Sequence, residues 1–82
     1  MAEPGVGLVL VTRQDCSLCE EFHAALVAWC AAHTESRFET VDVDSSPSLS
    51  ASYGWSVPVL LRGTELLMSG HFDAARLGAA LR

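Results

Sequence analysis

The chain has 82 residues, half of them hydrophobic, with five Lys or Arg against ten Asp or Glu and a formal charge of −5. That length supports one small core and no second, so residues 1–82 read as a single domain without a linker. So few basic residues exclude a Lys/Arg-rich face, and with it a nucleic-acid or anionic-membrane partner.

The N-terminal Met1-Ala2-Glu3-Pro4-Gly5 carries no basic stretch, and the apolar run behind it is too short for a signal peptide or a membrane span. The expected address is therefore the cytoplasm. Three cysteines make an odd count. In a reducing compartment a Cys-x-x-Cys pair is more often catalytic or metal-binding than a structural staple.

Val6 to Thr12 is β-branched and apolar, a strand of the fully buried kind, and Arg13-Gln14-Asp15 is a polar turn after it. Leu18, Phe22, Ala25, Leu26 and Trp29 then recur at helical spacing from Ser17 to about Ala32. Ser17 and Glu20 fit a capping box at its start. Arg37 to Asp44 suits a second strand through Phe38, Val41 and Val43. Ser46 as N-cap with Pro47 behind it predicts a short helix, and Gly54 would supply a left-handed exit. Val57 to Leu61 and Glu65 to Met68 read as strands joined by Gly63-Thr64 in a type II′ turn. Asp73 caps a last helix running through Leu81, with Phe72 and Leu77 as a hydrophobic staple.

The order β-α-β-α-β-β-α predicts an α/β domain, a four-stranded mixed sheet with three helices on its faces. The crevice beyond the carboxyl end of the first strand is then the expected active edge. Cys16-Ser17-Leu18-Cys19 falls there, where the strand hands over to the helix. Backbone N–H groups and the helix dipole at that point favour a thiolate, the form that attacks disulfides. Cys19, about one turn on, can close a disulfide back onto Cys16.

Zinc is the competing reading, since Cys16, Cys19, Cys30 and His33 have a knuckle-like spacing. One helix over 17–32 would separate Cys16 from Cys30 by roughly 20 Å of rise, too far for a shared site, so no metal is expected. Cys30 suits a small buried helix residue. His33 suits a helix C-terminus. Trp29 and Trp55 are expected to pack, with Trp55 also placed to wall a ligand site beside Pro58.

Two motifs make the chain resemble the glutaredoxin-like family of the thioredoxin fold, from about Val6 to Leu81. They are Cys16-Ser17-Leu18-Cys19 and Tyr53-Gly54-Trp55-Ser56-Val57-Pro58-Val59-Leu60-Leu61, with Ser69-Gly70-His71-Phe72-Asp73 as a weaker third. The resemblance implies the minimal thioredoxin fold and a thiol-disulfide oxidoreductase with Cys16 as attacking and Cys19 as resolving thiol. It implies that Pro58 is a cis-proline against the disulfide and that Val57 offers its backbone to glutathione or a substrate strand. Arg13 would face a glutathione carboxylate, Leu18 would line that site, and Gly70 and Asp73 would hold the tripeptide's other end. Glutathione is then a co-substrate rather than a tightly bound cofactor. The expected partners are a disulfide-containing protein or a glutathione mixed disulfide, and the expected state is a monomer.

Ser17-Leu18 replaces the family's usual Pro-Tyr, Ser69-Gly70 replaces Gly-Gly, and Asp15, Glu20 and Glu21 crowd the thiol with negative charge. Two alternatives stay open at this point. One is a non-catalytic thioredoxin-fold binding module; the other, implied by the resemblance, is a glutathione-assisted iron-sulfur site shared by two chains through Cys16.

Overall fold

The computed structural model describes residues 6–82. The reading of Met1 to Gly5 as leaderless lies outside the described residues. Along the chain run β1 (Val6–Thr12), α1 (Ser17–Ala32), β2 (Ser36–Asp42), α2 (Pro47–Tyr53), β3 (Val59–Arg62), β4 (Glu65–Ser69) and α3 (Ala74–Ala80). The sheet order is β2-β1-β3-β4, with β1 and β2 parallel and β3 antiparallel to both β1 and β4. This is the α/β arrangement expected from the sequence.

Strand alternation divides the core between the two faces of the sheet. Leu8, Leu10 and Leu60 pack with Phe22 and Leu26 of α1 and Leu77 of α3. Val11, Val59 and Leu61 face the other way, onto Val43, with Leu49 and Tyr53 of α2 against them. Neighbouring β1 residues thus serve opposite layers, which is why this strand is apolar without a break. Leu67 and Met68 are both buried although adjacent. The pairing of Leu60 with Met68 and of Leu61 with Leu66 leaves Leu67 as an extra residue, a bulge that turns both side chains inward.

Several local readings are corrected. Cys16, not Ser17, is the N-cap of α1, so Ser17 and Glu20 form no capping box. β2 stops at Asp42 because the Asp42 carboxylate accepts the Asp44 N–H at 2.8 Å, and Val43–Ser45 form a 3-10 turn. β3 starts at Val59, after Pro58, which has no N–H for the ladder. Gly54 is not left-handed: at φ −54° and ψ −29° it continues the helical twist. Space makes it glycine, since a Cβ there would meet the Ser50 carbonyl oxygen at 2.5 Å. Gly63 at φ 62° matches the type II′ turn. Asp73 caps α3 by accepting the Arg76 N–H at 3.0 Å, and the helix ends one residue before Leu81. No helix among the described residues is long and apolar enough to cross a membrane.

Phe22 ties α1 to the segment entering α3, with its ring edge-on to Phe72 at 5.3 Å and its side chain 1% exposed. Phe22→Ala is expected to cost about 3–5 kcal/mol through lost burial and the cavity left behind. Urea titration checks this, and a loss under about 1 kcal/mol would mean that Phe22 does not hold the two helices together.

Candidate active site

The active end begins where β1 stops. Asp15, in the left-handed region at φ 57°, turns the loop so that Cys16 enters extended, at φ −116° and ψ 102°. Asp tolerates that region better than most residues. Cys16 then caps α1 with its own sulfur: Sγ accepts the Cys19 N–H at 3.1 Å, and the Cys16 carbonyl accepts the Glu20 N–H at 3.1 Å. The same turn joins Cys16 to Cys19 in a disulfide, with Cα atoms 5.2 Å apart. Cys19 is 3% exposed, whereas Cys16 is only half-buried. A thiol or disulfide from outside therefore meets Cys16 first.

The Val57–Pro58 bond is cis. Because Val59 pairs with Val11, this bond lies at the same end of the sheet as the loop carrying Cys16. Gly70, at φ 83°, donates its N–H to the Pro58 carbonyl at 2.9 Å and ties the exit of β4 to this loop. Val57 forms no backbone hydrogen bond among the described residues.

Leu18 and Gly70 both line an open pocket of about 200 Å³, with Glu21, Phe22, Ala25, His71 and Phe72. The structure thus gathers Cys16, Cys19, Leu18, Val57, Pro58 and Gly70 at one end of the sheet. Asp73 stands further along, with its Oδ1 committed to capping α3.

Arg13 is engaged elsewhere. Its Nε and Nη2 donate to both Asp44 carboxylate oxygens at 3.1 Å, and its Nη1 donates to the Gly54 carbonyl at 2.8 Å. This fork holds the Asp44 carboxyl below the usual carboxylate range, and the carboxylate in turn raises the guanidinium. Sequence reasoning missed Asp44, because nothing in the local pattern marks a partner 31 residues away. Arg13 thereby pins the loop before Cys16 to the segment leading into Val57.

Cys30 lies apart, half-buried against the first core layer, and burial pushes its thiol up. His33 stacks on Trp29 at 3.8 Å, and its Nδ1 lies 2.8 Å from the Trp29 carbonyl oxygen. Trp55 departs from the packing role expected of it: it is 101% exposed.

A shared iron-sulfur cluster fits the donor set poorly. Each chain would supply one thiolate, amid the exposed Asp15, Glu20 and Glu21, whose charge opposes an anionic cluster and bound glutathione alike. Arg13, the cation placed to offset them, is paired with Asp44.

A parallel β1–β2 pair, an antiparallel hairpin, and a Cys-x-x-Cys opening α1 opposite a cis-proline define a thioredoxin-fold domain. The chain belongs to the Glutaredoxin-like domain (DUF836) family, whose model it matches over residues 7–82. Among solved structures it is similar to protein Ne2328 of Nitrosomonas europaea, at 30% identity and a TM-score of 0.81, over 100% of this chain and 96% of that one. It is also similar to XcR50 of X. campestris, at 35% identity and a TM-score of 0.67, covering 90% and 93% of the two chains. The germline-specific thioredoxin Deadhead of Drosophila melanogaster shares the fold at 20% identity, with a TM-score of 0.61 over 95% and 79%. No curated protein matches the chain.

The Arg13–Asp44 pair sets a pH dependence. A carboxyl held below its unfolded value stabilises the fold above that value and loses this contribution as pH falls through the lowered one. Asp44→Asn is therefore expected to lower stability at neutral pH, and the gap to wild type should close below about pH 4. Denaturation midpoints at a series of pH values check this; a gap that stays constant into acid would contradict the pairing.

Proposed function

We propose that the protein is a thiol-disulfide oxidoreductase working by a dithiol cycle. Cys16 thiolate attacks one sulfur of a substrate disulfide, forming a mixed disulfide and releasing the other sulfur as a thiolate, which takes a proton from water. Cys19, deprotonated, then attacks Cys16 Sγ, closes the Cys16–Cys19 disulfide and releases the second substrate thiol. The substrate gains two electrons and the protein loses two. Two thiols, from glutathione or from the dithiol of a reductase, return the pair to the dithiol and leave as a disulfide.

The reading rests on one observation above others: the two sulfurs differ in access. Cys16 is half-exposed at the helix N-terminus and Cys19 is buried behind it, so attack and resolution fall to different thiols. The free Val57 peptide supports it, as a substrate strand pairing there would run beside the disulfide. Leu18 and Gly70 form the adjoining wall. Helix N–H groups favour the Cys16 anion, while Asp15, Glu20 and Glu21 oppose it.

Intact-mass analysis of reduced protein mixed with oxidised glutathione tests the assignment. Wild type is expected to lose two hydrogens, Cys19→Ser to retain one glutathione on Cys16, and Cys16→Ser to react no faster than an ordinary exposed thiol. If all three behave like Cys16→Ser, the domain acts by binding alone.

A further inference from the structure

Resting on the oxidoreductase reading, we infer that the substrate is a protein disulfide flanked by Lys or Arg, docked as an extended segment whose cation lies over the Trp55 ring. Trp side chains are highly buried on average, and this one is 101% exposed. It stands two residues before Val57, and its neighbour Gly54 is held through its carbonyl by Arg13 at 2.8 Å. The indole is thus presented from an anchored base, beside a notch of about 130 Å³ that it shares with Arg13, Ser50 and Gly54. An exposed aromatic on a backbone tied at its base, beside an open backbone pair, has the form of a recognition anchor.

Charge decides what the anchor takes. Asp15 precedes Cys16, and Glu20 and Glu21 follow Cys19; all three are exposed and lack an ion-pair partner among the described residues. The nearest cation, Arg13, is already met by Asp44. An approaching ligand therefore finds exposed carboxylates on either side of the cysteine pair and, on the loop leading into Val57 at the same end of the sheet, an exposed indole, a combination that attracts an ammonium or guanidinium. Glutathione, with two carboxylates and one ammonium, is repelled by the same charges. A second copy of this chain, at −5, is disfavoured on the same ground.

Two labelled peptides test this, each with one internal disulfide, flanked by lysines in one and by glutamates in the other. Docking is read by fluorescence anisotropy with Cys16→Ser, which can bind but not exchange, and reduction is read with wild type. The lysine peptide is expected to dock at least about tenfold more tightly at low salt, a preference that shrinks as salt is raised. Adding Trp55→Ala to the docking protein should weaken lysine-peptide binding about two- to fivefold, and Trp55→Phe should restore part of it. Thermal melts will show both variants folded, because the side chain has no place in the core. Equal docking of the two peptides, or a lysine preference untouched by Trp55→Ala, overturns the inference. Selective docking without reduction by wild type would sink the oxidoreductase reading and leave the docking surface standing.

Discussion

A single turn of backbone does most of the work at the active end, through the hydrogen bond from the Cys19 N–H to the Cys16 sulfur. A helix start leaves N–H groups without partners, and most chains supply Ser, Thr, Asp or Asn to meet one of them. Here a cysteine sulfur takes that place, so the residue that starts the helix is also the one that reacts. Capping then fixes the positions of both thiols. Cys16, as cap, lies outside the helix and is half-buried, whereas Cys19 falls on the face of α1 that carries Phe22 and Leu26 into the core and is 3% exposed. The difference in access on which the proposed cycle rests follows from where the helix starts and which face it turns to the core.

Arg13 supplies the second constraint. Three segments distant in sequence meet on its guanidinium: the loop before Cys16, the 3-10 turn bearing Asp44, and Gly54 at the end of α2. The bidentate geometry suits Arg and not Lys. Gly70 makes a similar tie on the opposite side, from the β4 exit to Pro58. Between them the two ties hold the Val57–Pro58 loop while leaving the Val57 peptide groups free. Trp55, on the same loop, is presented to solvent rather than folded under.

What the sequence revealed follows from the range of the interactions involved. The apolar run of β1, the periodicity of α1, the Ser46-Pro47 start of α2 and the Asp73 cap are all written within a few residues, and each element lies where local chemistry puts it. Cys16 and Cys19 were legible for the same reason. The partners of Arg13, Asp44 and Gly54, were not legible because they come close only once the sheet has formed. Gly54 was misread because steric contact with Ser50, rather than a positive φ, demands a glycine. The exposure of Trp55 was legible only as the option of a ligand wall, since an aromatic residue beside an apolar strand otherwise reads as core until the packing around it is known.

The central claim is that Cys16 and Cys19 form a reversible redox pair from which Cys30 stands apart. Equilibrating the protein in glutathione buffers of graded poise, then alkylating its free thiols and weighing it, measures this directly. The account predicts one two-electron transition, from three alkylated cysteines to one, with the label remaining on Cys30. A pair that never closes, or a disulfide that recruits Cys30, would contradict it.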